Sequence, residues 1–127
     1  MTLRVSTTYL IDTLQDARAR TLELVNGLDQ VQLMGPKIPG VNPLRWEIGH
    51  IAYFYEFFIL RQLYGHDSIL GLKADELYDS IAVAHDTRWD LPLLSMAETL
   101  TYMRDVLEKL CEHLINNNED GLASEQD

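Results

Sequence analysis

The sequence predicts an all-α protein, a helical bundle with three main helices. It reads as a four-helix bundle lacking its last helix and completed by dimerisation. Three observations carry this expectation. Apolar residues recur at helical spacing in three long stretches. Capping and breaking residues bound those stretches. No fourth stripe remains, so the bundle leaves an exposed seam that a second copy of the chain is expected to cover.

The first helix is expected from Thr7 to Leu28. Leu10, Leu14, Ala17, Leu24 and Leu28 form its stripe, while Asp12, Gln15, Asp16, Arg18 and Arg20 face water and Gly27 weakens the last turn. Met34 to Pro43 holds three of the four prolines and is a loop. Asn42 then reads as an N-cap with Pro43 in the first turn. A long aromatic helix follows, with Trp46, His50, Tyr53, Phe57, Leu60 and Tyr64 on one stripe, widened by Ile51, Phe54 and Phe58. Gly65 supplies the left-handed residue that ends it.

Residues 66–94 carry a short helix at Ala74–Ile81 and no long period. An ordered connection of this length points to function. Ser95 and Glu98 form a capping box for the last helix. Its seam is Leu100, Met103, Leu107, Leu110 and Leu114, and Asn116–Asn118 ends it. The bundle domain is thus expected over residues 1–118, followed by an acidic flexible tail at 119–127.

Composition bounds the function. The 127 residues make one domain. A net charge of −10 repels phosphate backbones and anionic lipid, which argues against nucleic-acid or membrane partners. No apolar run is long or clean enough to span a membrane, and the N-terminus lacks the apolar core of a signal peptide. Cys111 is the single cysteine, so no internal disulfide forms. The expected location is the cytoplasm.

Among the residues that carry chemistry, His50 sits inside an aromatic stripe as a candidate metal ligand or a satisfied core histidine. Glu47 and His50 form Glu-x-x-His, a spacing used in di-iron bundles, where a second copy and two further carboxylates are needed. His85, Asp86, Arg88 and Asp90 form either a polar pocket or an ion-pair lock in which Arg88 pairs with a carboxylate and Trp89 plugs the bundle. His85 is a further metal candidate. No two histidines stand four apart on one helix, so a transition-metal site must draw on distant segments. Cys111 reads as a small core residue. The glycine loops and nucleophile elbows of nucleotide-binding proteins and hydrolases are absent.

The stretch Leu44-Arg45-Trp46-Glu47-Ile48-Gly49-His50-Ile51-Ala52-Tyr53-Phe54-Tyr55-Glu56 resembles the W-x-x-(G/A)-H-x-x-(W/Y)-F-x-E helix of a known domain. That domain is the N-terminal DinB-like bundle of ergothioneine- and selenoneine-type sulfoxide synthases. Leu77 to Ser80 and His85 to Pro92 resemble its connecting segment, and the likeness covers roughly residues 5–115. The resemblance implies a DinB-like helical bundle. It also implies non-haem iron and oxygen chemistry on trimethylhistidine, shared with a second domain. It places His50 on the first iron-binding histidine. The family's other two ligands lie on a His-x-x-x-His-x-Glu helix, which would follow the helix ending near Ile115, where this chain instead has its acidic tail.

The expected cofactor is iron or another divalent metal, with a metal-free protein as the alternative. Three functions follow: a half-module whose iron site a partner chain completes, with no catalysis by itself; a metal-free homodimeric scaffold; and a dimeric di-iron bundle.

Overall fold

The computed structural model describes residues 5–119, and among them the fold is helical. The expected acidic tail lies outside the described residues, apart from Glu119. Helix α1 (Thr7–Val25) is followed by α2 (Gln30–Met34), α3 (Leu44–Tyr55) and a π-helical continuation (Glu56–Leu63). Next come α4 (Leu72–Tyr78), a 3₁₀ turn (His85–Thr87) and α5 (Met96–Glu119). The all-α bundle is as expected, with α2 added to the three long helices and the one expected short helix.

Helix α5 is the hub. It packs against α1 on one side and against α3 and the π segment on the other, while α2 and α4 both lean on α3. Trp46, Tyr78, Tyr102, Leu60, Met103 and Val106 are the fully buried apolar centre.

Ser6 starts α1 by accepting from the Tyr9 N–H. The helix stops at Val25 rather than Leu28, because Asn26 turns extended and Gly27 takes φ +80°. Asp29 and Gln32 then cap α2 reciprocally, a capping box missing from the sequence-based expectation. The inward face of α1 also differs. Leu24 is 78% exposed, whereas Arg18 is buried and donates through Nη1 to the Met103 carbonyl oxygen. A long aliphatic stem lets an arginine occupy such a position, and burial holds its pKa below the ordinary value.

Pro43, not Asn42, is the N-cap of α3, so the helix starts one residue late. Side-chain partners explain the shift: Asn42 accepts from Arg88 Nη1 at 2.9 Å and donates to Glu47 Oε1 at 2.6 Å. At the far end the helix widens into i→i+5 winding, with the Tyr64 N–H bonded to the Ile59 carbonyl at 3.1 Å. Gly65 closes it at φ +71°, as expected.

The buried face of this long helix is rotated from the aromatic stripe. Trp46, Gly49, Ala52, Tyr53, Glu56 and Leu60 point inward, and Phe54 and Phe58 are about half exposed. The short helix expected at Ala74–Ile81 runs instead from Leu72 to Tyr78, starting after Gly71 at φ +67°.

Ser95 and Glu98 do form the capping box of α5, each accepting from the other's backbone N–H at 3.1 Å. The helix passes through Asn116–Asn118 to Glu119 rather than ending there. Its buried positions are Thr99, Tyr102, Met103, Val106 and Leu110. The expected seam is therefore only partly right, because α1 and α3 approach α5 from two sides and shift the covered arc.

Candidate functional site

The site is built around His50, where α3 meets the end of α4. Gly49 makes the meeting possible. A Cβ at this position would lie 2.4 Å from Cε1 and Cζ of Tyr78, so only glycine lets the Tyr78 ring lie against α3. With Tyr78 in place, two α3 side chains bind the end of α4. Trp46 Nε1 donates to the Leu77 carbonyl at 2.6 Å, and His50 Nδ1 lies 2.8 Å from the Tyr78 carbonyl.

That last bond sets the state of the imidazole. A carbonyl oxygen only accepts, so Nδ1 carries the hydrogen and, in the neutral ring, Nε2 carries the lone pair. Metal-ligating histidines are commonly oriented in this way. The ring is clamped further by stacking on Trp46, with centroids 4.6 Å apart and planes 11° apart. Phe54 meets it edge-on at 6.4 Å.

Arg88 covers the outer side of the same stack, 4.0 Å from the Trp46 ring. It donates to Asn42 Oδ1 and to the carbonyls of Ser80, at 3.1 Å, and Val83, at 2.8 Å. Here the ion-pair expectation is corrected: Arg88 locks the 79–88 connection through neutral acceptors, and no carboxylate pairs with it among the described contacts. Trp89 is half-buried, edge-to-face with His85 at 5.2 Å.

His50 lines a cavity of about 180 Å³ walled by Tyr53, Phe54, Phe57, Phe58 and the turn Asp79–Ile81. Asp79 already caps that turn, accepting from the N–H groups of Ile81 at 3.0 Å and Ala82 at 3.3 Å. Just behind, Asp75 accepts from Tyr53 Oη at 2.6 Å and from Arg61 at 2.8 Å. The Arg61 bond holds the Asp75 carboxyl below its usual range, while burial, then Asp75, pushes the Tyr53 hydroxyl up.

The other candidates are placed apart. Glu47 is engaged by Asn42. His85 Nε2 lies 2.7 Å from the Val41 carbonyl, and neither residue lines the cavity of His50. Cys111 is half-buried, and burial pushes its thiol up, which disfavours the reactive thiolate. Among the described residues no three His, Cys, Asp or Glu side chains converge as a metal set. The residues around this cavity therefore offer one well-oriented histidine and do not complete a three-ligand site.

Sequence reasoning missed Glu56, which is fully buried. It accepts from Tyr102 Oη at 2.5 Å and from the Ile69 N–H at 2.6 Å, tying the start of the π segment to α5 and to the 66–71 turn. A carboxylate inside an apolar helix face was the available signal. Gly49 inside a strong helical pattern was the signal for the close approach of Tyr78.

Comparisons with known proteins bear on the family of the chain. A sequence profile of the DinB superfamily matches residues 13–126. Hercynine oxygenase of Mycobacterium tuberculosis is 35% identical over 106 residues, 83% of this chain and 25% of that protein. Hercynine oxygenase of Mycolicibacterium smegmatis is 34% identical over 114 residues, 87% of this chain and 26% of that protein. The chain thus spans about a quarter of the length of the curated relatives it matches.

Proposed function

Because the chain belongs to the DinB superfamily, we propose that it is a helical module of hercynine-oxygenase type that contributes His50 as one metal ligand and does not run an oxygenase reaction unaided. One observation carries this: the Tyr78 carbonyl holds Nδ1 of His50 and leaves Nε2 as the lone-pair atom of a residue that lines the aromatic cavity. Ligands beyond His50 would come from outside residues 5–119 or from a partner chain. Iron is the metal the family resemblance implies.

The test is direct. The purified protein is stripped with chelator, reloaded anaerobically with Fe(II), passed over a sizing column and assayed for iron per chain. Wild type is expected to retain more iron than His50→Ala at equal helix content. Equal retention would remove His50 from metal binding. Turnover of trimethylhistidine by this chain alone would refute the dependence on a partner.

A second reading is a metal-free homodimeric interaction module. It is supported by the sandwich of Arg88, Trp46 and His50, which satisfies the histidine as a packing residue, and by the exposed Leu24 and Val31. Retention of no metal together with a dimeric mass in solution would favour it.

A further inference from the structure

A second pair of imidazoles lies at the other end of the π segment. Nε2 of His66 and Nε2 of His113 face each other at 2.5 Å, with ring planes 75° apart. The backbone of His66 and the ring of His113 are both held in place. Gly65 turns the chain at φ +71°, and the His66 N–H donates to the Leu60 carbonyl at 2.8 Å. Tyr64 stacks on His113 with centroids 3.8 Å apart, and Asn117 Nδ2 donates to the Tyr64 hydroxyl at 2.8 Å. Such backing is what pre-organises a ligand set.

We propose that His66 and His113 form a two-imidazole site for a borderline divalent cation of the zinc class, separate from His50. Two neutral imidazoles that meet at Nε2 hold at most one hydrogen between them, so at least one lone pair points into the gap. With both rings in the Nδ1–H form, both lone pairs converge. Two metal–nitrogen bonds of about 2.0–2.1 Å at a tetrahedral angle separate the nitrogens by roughly 3.3 Å. The rings then part by less than about 1 Å, within reach of side-chain rotation.

Other features favour a cation. Both rings are partly exposed, so an ion can enter and water can fill the remaining positions. The net charge of −10 raises the local concentration of cations. Bound metal would clamp the turn after the π segment to α5. The inference does not depend on the role given to His50.

The full-length protein, freed of metal, is titrated with Zn²⁺ by calorimetry and by thermal melting. Wild type is expected to bind one zinc and to melt at a higher temperature with it. His66→Gln and His113→Gln are each expected to weaken that event at least about tenfold, the scale on which even outer-shell partners act. Should a glutamine variant fold poorly, the imidazole nitrogen spectrum of wild type decides: zinc must shift the Nε2 resonances of both His66 and His113. Unmoved resonances, or glutamine variants with wild-type zinc affinity, would overturn the site.

Discussion

Gly49 and Glu56 are the residues on which α3 depends most, and neither owes its importance to chemistry on a substrate. Substituting Gly49→Ala drives a methyl to within 2.4 Å of the buried Tyr78 ring. The expected cost is about 1–3 kcal/mol, the usual range for overpacking a filled core, read as a lower urea midpoint. The Nδ1 contact of His50 should loosen with it, because Tyr78 supplies the carbonyl. Replacing Glu56 by glutamine removes one of two acceptors, so either the Tyr102 hydroxyl or the Ile69 N–H is left facing a donor. About 1–3 kcal/mol of stability is expected to go, and wild-type urea stability in Glu56→Gln would contradict the buried network. Both residues signalled themselves in the sequence by being the wrong type for their helix position. Their partners did not, since Tyr78 and Tyr102 are 29 and 46 positions away and only the packing selects them.

At the scale of elements, local signals placed the stop of the aromatic helix and the start of α5. Gly65 and the Ser95–Glu98 box act within one turn, so their chemistry is readable without the fold. Ser95→Ala should cost about 1 kcal/mol, seen as a lower melting temperature and faster amide exchange in the first turn of α5. An unchanged melting temperature would mean that packing of Thr99 and Tyr102 alone fixes the helix start. Helix faces were less legible than helix ends. The aromatic stripe of α3 and the seam of α5 are both rotated from their expected positions, because α5 is contacted from two sides and π winding widens the turn after Glu56.

Across the whole molecule, buried phenols set the alkaline limit of stability. Burial pushes Tyr78 up to about 12, and Tyr102 is raised further, by burial first and then by its bond to Glu56. The folded state therefore keeps protons that the unfolded chain releases above about pH 10. Stability is fully present below about pH 10 and falls as the pH rises through about 12. Tyr78 alone contributes on the order of 2–3 kcal/mol to this loss. Urea midpoints should be flat from about pH 7 to 9 and drop beyond 10; a flat profile to pH 12 would show that these tyrosines ionise without cost. Self-association belongs to this scale too. Leu24 and Val31 are 78% and 80% exposed, and we propose that a second copy covers them. Sedimentation should then give twice the 14.6 kDa of one chain at micromolar concentration, and a monomer would exclude it.

The sequence by itself determined that the chain is helical and where the long helices lie. Those properties follow from spacing, caps and breakers within a few residues of one another. Only the tertiary structure decided that Arg88 serves Asn42 and two carbonyls, that Arg18 turns inward, and that Nε2 of His50 is the lone-pair atom. It also brought His66 to His113 across 47 positions. Each of these is a contact between distant segments, and its geometry is fixed by how the helices pack.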